Sequence, residues 1–146
     1  PDKSVILRQQ TLLFGTKTNT MKLWKWLVSL FVALAMCGCQ EKLFISVDVD
    51  QFERLLIEEK AQLVDVRTPQ EFAEEHIPGA LNIDIKSENF TNQCVNLLDK
   101  KLPVAVYCRS GRRSKVAAQQ LTNLGFLVYD LDKGIIEWRA QGKPLE

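Results

Sequence analysis

The chain has 146 residues, 46% of them apolar and 25% charged, with a net charge of +1. That length suits one ordinary domain with a short extra segment, and the balance excludes a disordered chain. A charge so near zero also argues against a broad basic face for nucleic acid.

The charge is unevenly spread. Residues 1–39 carry five Lys/Arg and one acid, whereas residues 40–146 carry fourteen Lys/Arg against seventeen acids. The later part is mildly acidic, so any basic site in it is local. Residues 1–20 show no sustained periodicity and precede Met21. They are read as upstream translation or an expression artefact and left out of the fold. Met21-Lys22-Leu23-Trp24-Lys25-Trp26 is a short basic start. An apolar run from Leu27 to Met36 follows, broken only by Ser29, and then Cys37-Gly38-Cys39-Gln40. This is the order of a secretory signal, and the run falls well short of the ~20 residues a membrane-spanning helix needs. Residues 21–39 resemble a bacterial lipoprotein signal, in which the cysteine after the cut is lipidated. Cys39 suits that role better than Cys37, because Gly38 before it is small and Met36 is bulky. The resemblance implies an exported protein, lipid-anchored to a bacterial membrane and facing the periplasm or cell exterior. Stable anchoring would take more than one acyl chain. A plain cleaved signal and a short uncleaved anchor are the alternatives.

From about residue 42 to 146 the pattern alternates strand and helix. Leu43–Val47 is β-leaning. Asp50, with Glu53 three residues on, reads as a helix N-cap, and Phe52, Leu55 and Leu56 follow helical spacing. Leu63–Val66 is a second strand. Thr68-Pro69-Gln70-Glu71 starts a short helix with proline at its first position, and His76-Ile77-Pro78-Gly79 turns the chain. Leu81–Ile83 is a brief strand, and residues 88–98 are helical. Val104–Tyr107 is a continuous apolar run, as in a strand buried on both faces. Gly111–Leu124 is a helix closed by Gly125, Phe126–Tyr129 the last strand and Ile135–Ala140 the last helix. The result is one α/β domain with a mainly parallel sheet flanked by helices, a three-layer arrangement. Trp138 and Phe126 are expected in the core, and Glu58-Glu59-Lys60 and Lys100-Lys101 at the surface. Nothing requires an oligomer.

The four cysteines do not form one set. Neither Cys-x-x-Cys spacing nor a second histidine beside His76 is present, so a zinc site is not expected. The informative segment runs from Val104 to Ser114. Cys108 stands at the carboxyl end of a buried strand, where ligands bind in open α/β sheets. The loop Arg109-Ser110-Gly111-Arg112-Arg113 then enters a helix, aiming backbone N–H groups and the helix dipole at one spot. Three arginines join them, so the loop should cradle an anion. The first such anion is the cysteine's own thiolate, which helix N-termini and nearby cations favour. A plain buried cysteine would need none of these neighbours.

Cys-Arg-Ser-Gly-Arg-Arg-Ser resembles the active-site loop of single-domain rhodaneses, and the resemblance runs through residues 44–146. Leu63-Val64-Asp65-Val66-Arg67, then Glu71-Phe72, then His76 to Ile83 match the family's upstream signature. Asp132 to Trp138, with Gly142 and Pro144, match the closing one. Glu75 departs, since a glycine usually precedes the histidine. That position is read as a turn. The resemblance implies a sulfurtransferase in which Cys108 accepts sulfur as a persulfide and Arg113 is the loop arginine shared by the family. Arg109 and Arg112 would line the mouth for an anionic donor such as thiosulfate, and a thiol or cyanide would accept the sulfur. No metal or organic cofactor is implied. Asp65 and Arg67 are expected to clasp neighbouring loops, and His76 to fix its turn. Cys94 is read as incidental, with a disulfide to Cys108 as the alternative. Two rival functions remain. One is a non-catalytic binding module of the same fold, which usually lacks the cysteine. The other is a cysteine phosphatase or arsenate reductase, for which this loop is one residue short.

Overall fold

The computed structural model describes residues 44–146. The signal-like segment, with Cys37 and Cys39, lies outside the described residues. In chain order the elements are β1 (Ile45–Val47), α1 (Val49–Glu58), β2 (Gln62–Asp65), α2 (Pro69–Glu74), β3 (Leu81–Asn82), α3 (Phe90–Leu97), β4 (Val104–Tyr107), α4 (Arg112–Asn123), β5 (Val128–Leu131) and α5 (Gly134–Ala140). The strands form a parallel sheet in the order β1-β5-β4-β2-β3.

β4 is central, and all four of its residues are buried. Its side chains alternate between two cores. Val104, Val106 and Cys108 join Val64, Phe90, Cys94, Ala117, Ala118 and Leu121 on the face covered by α3 and α4. Ala105 and Tyr107 join Phe52, Leu55, Ile135 and Trp138 on the face covered by α1 and α5. The apolar run of β4 therefore has a cause: it packs against helices on both sides.

The strand order also explains which face each helix covers. From β1 the chain crosses over β5 and β4 to β2, and from β3 it turns back to β4 and then β5. Right-handed crossovers running in opposite directions put their helices on opposite faces. The loops after β2 and β4 consequently part company, and a crevice opens between their carboxyl ends.

Two expectations need correction. The cap of α1 is Asp48, whose Oδ1 accepts the Gln51 N–H at 2.8 Å, not Asp50. Starting the helix two residues earlier buries Val49 beside Phe52 and Leu55. The last strand begins at Val128, two residues later than Phe126, because pairing of Val128 with Val104 sets its register. Phe126 packs in the core ahead of it, and Trp138 is buried as expected. α2 starts as expected with Pro69 at its first position, and the structure adds a reciprocal cap: Thr68 Oγ1 accepts from the Glu71 N–H while the Glu71 carboxylate accepts from the Thr68 N–H. Among the described residues, no helix is long and apolar enough to cross a membrane.

Candidate active site

Cys108 directly follows β4 at the crevice. It is only 1% exposed, against the expectation of an open thiol at the strand end. The residue packs between the sheet and α4, and α5 closes over its backbone: the Ile135 N–H donates to the Cys108 carbonyl at 2.9 Å, and the Ile136 N–H to that of Arg109 at 3.3 Å. In such a water-poor place, nearby dipoles and charges act more strongly than in bulk solvent.

The loop after Cys108 is held in shape by two glycines. Gly111, at φ +86°, is the N-cap of α4; a Cβ there would lie 1.8 Å from the Asp132 carbonyl oxygen. Gly134, at φ +62°, starts α5; a Cβ there would meet the Cys108 carbonyl oxygen at 2.4 Å. The loops after β4 and β5 can approach this closely only because neither residue has a side chain. Gly111 also brings no side-chain cap to α4. The first-turn N–H groups of that helix, with its dipole, are therefore left for an anion. Buried Ser114 donates its hydroxyl back to the Gly111 carbonyl at 3.2 Å, which braces the same turn.

The three loop arginines have different situations. Arg113 forms a two-bond pair with Glu71, Nη1 to Oε2 and Nη2 to Oε1, each 2.7 Å. The hydrogen bonds from Arg113 are the main reason that the Glu71 carboxyl falls from its ordinary 4.5 to about 2. Glu71 is thus both the capping-box residue of α2 and the anchor of the loop arginine. Arg109 and Arg112 are exposed, as is Ser110. Arg109 lines a cleft of about 560 Å³ with Glu71, Glu74, Glu75, Ile135, Ile136 and Arg139; Arg112 is not among its walls.

Asp65 and Arg67 form the expected clasp. Arg67 Nη2 and Nε reach Asp65 Oδ2 at 2.6 and 2.9 Å, and both side chains are buried. Arg67 also donates to the Glu75 carbonyl at 2.7 Å, and its guanidinium lies 5.8 Å from the Tyr107 ring centre. Asn82 Nδ2 ties the Asp65 and Arg67 carbonyls together. The Tyr107 hydroxyl accepts the Ile77 N–H at 3.1 Å, and burial pushes its own proton affinity well up. His76 fixes its turn through Phe72 and Glu146: its ring stacks on Phe72 at 3.8 Å, and its backbone exchanges hydrogen bonds with Glu146. Glu75 is not in a glycine-type turn. Its backbone is extended, so a side chain fits there without strain, and its carboxylate pairs with Arg139 at the rim of the cleft. Cys94 is free, fully buried, and its thiol is pushed up to about 11 by burial.

Behind the loop stands a group that the sequence reading passed over. Lys115 Nζ pairs with Asp132 at 2.5 Å and lies 3.8 Å from buried Asp130. Asp130 accepts from the Ser46 hydroxyl at 3.0 Å, and burial raises its carboxyl above the ordinary range. Its Oδ1 has no hydrogen-bond partner among the described residues. A charged residue in an otherwise apolar strand was the available signal.

Comparison with known proteins agrees with this geometry. The model of the rhodanese-like domain family matches residues 48–141. A thiosulfate sulfurtransferase GlpE from Vibrio cholerae is 34% identical over 104 residues, covering 70% of this chain and 95% of the relative. The solution structure of a rhodanese-like domain from Anabaena sp. is 26% identical with a TM-score of 0.64, covering 71% of this chain and 80% of that one. A crystal structure of a rhodanese-like domain protein from Staphylococcus aureus is 28% identical with a TM-score of 0.54, covering 65% and 91%. The chain belongs to the rhodanese-like domain family.

Proposed function

We propose that this protein is a thiosulfate-type sulfurtransferase that carries sulfur as a Cys108 persulfide. The observation that carries the reading is Cys108 at the end of the central strand, beside the uncapped N-terminus of α4. The Cys108 thiolate attacks the outer sulfur of thiosulfate. The sulfur–sulfur bond of the donor breaks, and sulfite leaves with the electron pair. Backbone N–H groups of α4 and the exposed Arg109 and Arg112 stabilise the departing oxyanion. Arg113, fixed by Glu71, keeps positive charge beside the sulfur through both halves of the cycle. Cyanide or a thiolate then attacks the outer sulfur of the persulfide, and the Cys108 thiolate is released. The cycle needs no metal or organic cofactor. The 34% identity to a thiosulfate sulfurtransferase supports the same chemistry.

A non-catalytic binding module of this fold is the second reading. It gives no reason for two glycines, two loops and a fixed arginine to converge on a cysteine. A phosphatase or arsenate reductase is disfavoured by Arg113, which presents its guanidinium to Glu71 rather than to an incoming oxyanion. For the export and lipid anchoring of Cys39, support rests on the order of residues 21–39 alone.

The test is steady-state thiocyanate formation from thiosulfate and cyanide by the full chain. Parallel double-reciprocal lines, and no turnover by Cys108→Ser, are expected. Wild type without turnover toward thiosulfate and toward organic persulfides would sink the proposal.

A further inference from the structure

The cleft beside Cys108 has an unusual charge pattern. Three carboxylates, Glu71, Glu74 and Glu75, stand in it with arginines. Most of these charges are already matched. Glu71 holds Arg113, Glu75 holds Arg139, and Arg67 is closed by Asp65. Glu74 and Arg109 are left, one of each sign, both exposed and neither in an ion pair among the described residues. The cleft wall also includes apolar Ile135 and Ile136, the latter 45% exposed. Arg109 directly follows Cys108 in the chain, and the Ile135 and Ile136 N–H groups donate to the Cys108 and Arg109 carbonyls, so the cleft adjoins the loop that carries the cysteine.

From this we infer that the cleft selects a zwitterionic aminothiol as the sulfur acceptor: Glu74 takes its ammonium and Arg109 its carboxylate. Free cysteine is the simplest such molecule. The inference rests on the sulfurtransferase reading above and names the acceptor class for it. A thiol bearing only a carboxylate meets Arg109 but also the unmatched Glu74. One bearing only an ammonium meets the reverse. A molecule carrying both on one carbon offers a partner to each, with its short thiol arm left for the loop. Its thiolate attacks the outer sulfur of the Cys108 persulfide, the sulfur–sulfur bond breaks, and the Cys108 thiolate leaves with the electron pair. The product is the persulfide of the aminothiol. The thiol proton goes to solvent before attack, and no oxidant or reductant is consumed. Because donor and acceptor bind in alternation, Arg109 serves the donor's sulfonate end in one half-reaction and the acceptor's carboxylate in the other.

The test is single-turnover transfer from the preformed persulfide of the full chain. The acceptors are L-cysteine, 3-mercaptopropionate, cysteamine and 2-mercaptoethanol, with rates expressed per thiolate. Cysteine should exceed 3-mercaptopropionate by about fivefold, as an exposed ion pair supports. Glu74→Gln should bring that ratio close to one, and Glu74→Lys should invert it. Glu58→Gln, at the far end of α1, should leave it unchanged. Equal thiolate-normalised rates in wild type, or a ratio that survives Glu74→Lys, would overturn the inference while leaving the persulfide cycle intact. Failure to load sulfur on Cys108 from any donor would instead overturn the cycle itself, and the acceptor assignment with it.

Discussion

Arg113 and Glu71 meet through two parallel hydrogen bonds of 2.7 Å across 42 residues of sequence. The pair ties the first turn of α4, which follows Cys108, to the first turn of α2, which follows the Asp65–Arg67 clasp. It is the structural link between the loops on the two sides of the crevice.

If this pair fixes the loop arginine for catalysis, a lysine cannot replace it, because a point charge lacks the two-pronged geometry. Arg113→Lys should lower kcat/KM for thiosulfate by about two orders of magnitude, the scale of loss when a catalytic loop is slightly misplaced. Glu71→Gln keeps only part of the pair and should lose about tenfold. Both are read from thiocyanate formation, and wild-type rates in Arg113→Lys would contradict the role assigned.

The same pair gives a pH signature. Glu71 is held at about 2, below its ordinary 4.5. Its contribution to stability is therefore complete above about 4.5 and is lost as pH falls through 2. The pair is partly exposed, so solvent screening limits the effect to about 1–2 kcal/mol. Urea unfolding of wild type and Glu71→Gln should differ by that amount at neutral pH and converge at the acid end. A difference independent of pH would show that the carboxylate charge is not what matters.

The Asp65–Arg67 clasp is buried on both sides. Removing one partner strands the other charge, so Asp65→Asn should cost about 3–5 kcal/mol. The denaturant midpoint measures this. A loss below about 1 kcal/mol would mean that Arg67 finds adequate compensation in the Glu75 carbonyl.

Gly111→Ala should be more damaging than its size suggests. The added Cβ meets backbone, the Asp132 carbonyl, at 1.8 Å, and backbone cannot swing away as a flexible side chain does. The left-handed conformation adds strain of about 1–3 kcal/mol. Both a lowered melting temperature and lost sulfur transfer are expected. Near-wild-type values of either would show that the two loops can separate at no cost.

Much of this architecture was legible from local pattern. β4 announced itself by an unbroken apolar run, and Thr68-Pro69-Gln70-Glu71 marked its own helix start. The arginines after Cys108 marked the candidate site, and the Asp65–Arg67 clasp was anticipated from strand-end position. What escaped was set by pairing across the chain. The register of β5 comes from Val104 opposite Val128, so its start could not be read from Phe126 onward. The cap of α1 depends on which aspartate faces the helix end, and Asp48 and Asp50 are equivalent as letters. The Glu71–Arg113 pair joins two helices far apart in sequence, so no local pattern announces it. The burial of Cys108 follows from its packing against α4 with α5 closed over its backbone, which only the tertiary structure reveals.

The central claim is that Cys108 carries the sulfur, and intact mass tests it most directly. The full chain, fully reduced, is incubated with thiosulfate and then with cyanide, alongside Cys108→Ser. The account predicts one added sulfur atom on wild type, removed by cyanide and never gained by the variant, with Cys94 unmodified throughout. Sulfur uptake by Cys108→Ser, or none by wild type from thiosulfate or an organic persulfide, would contradict it.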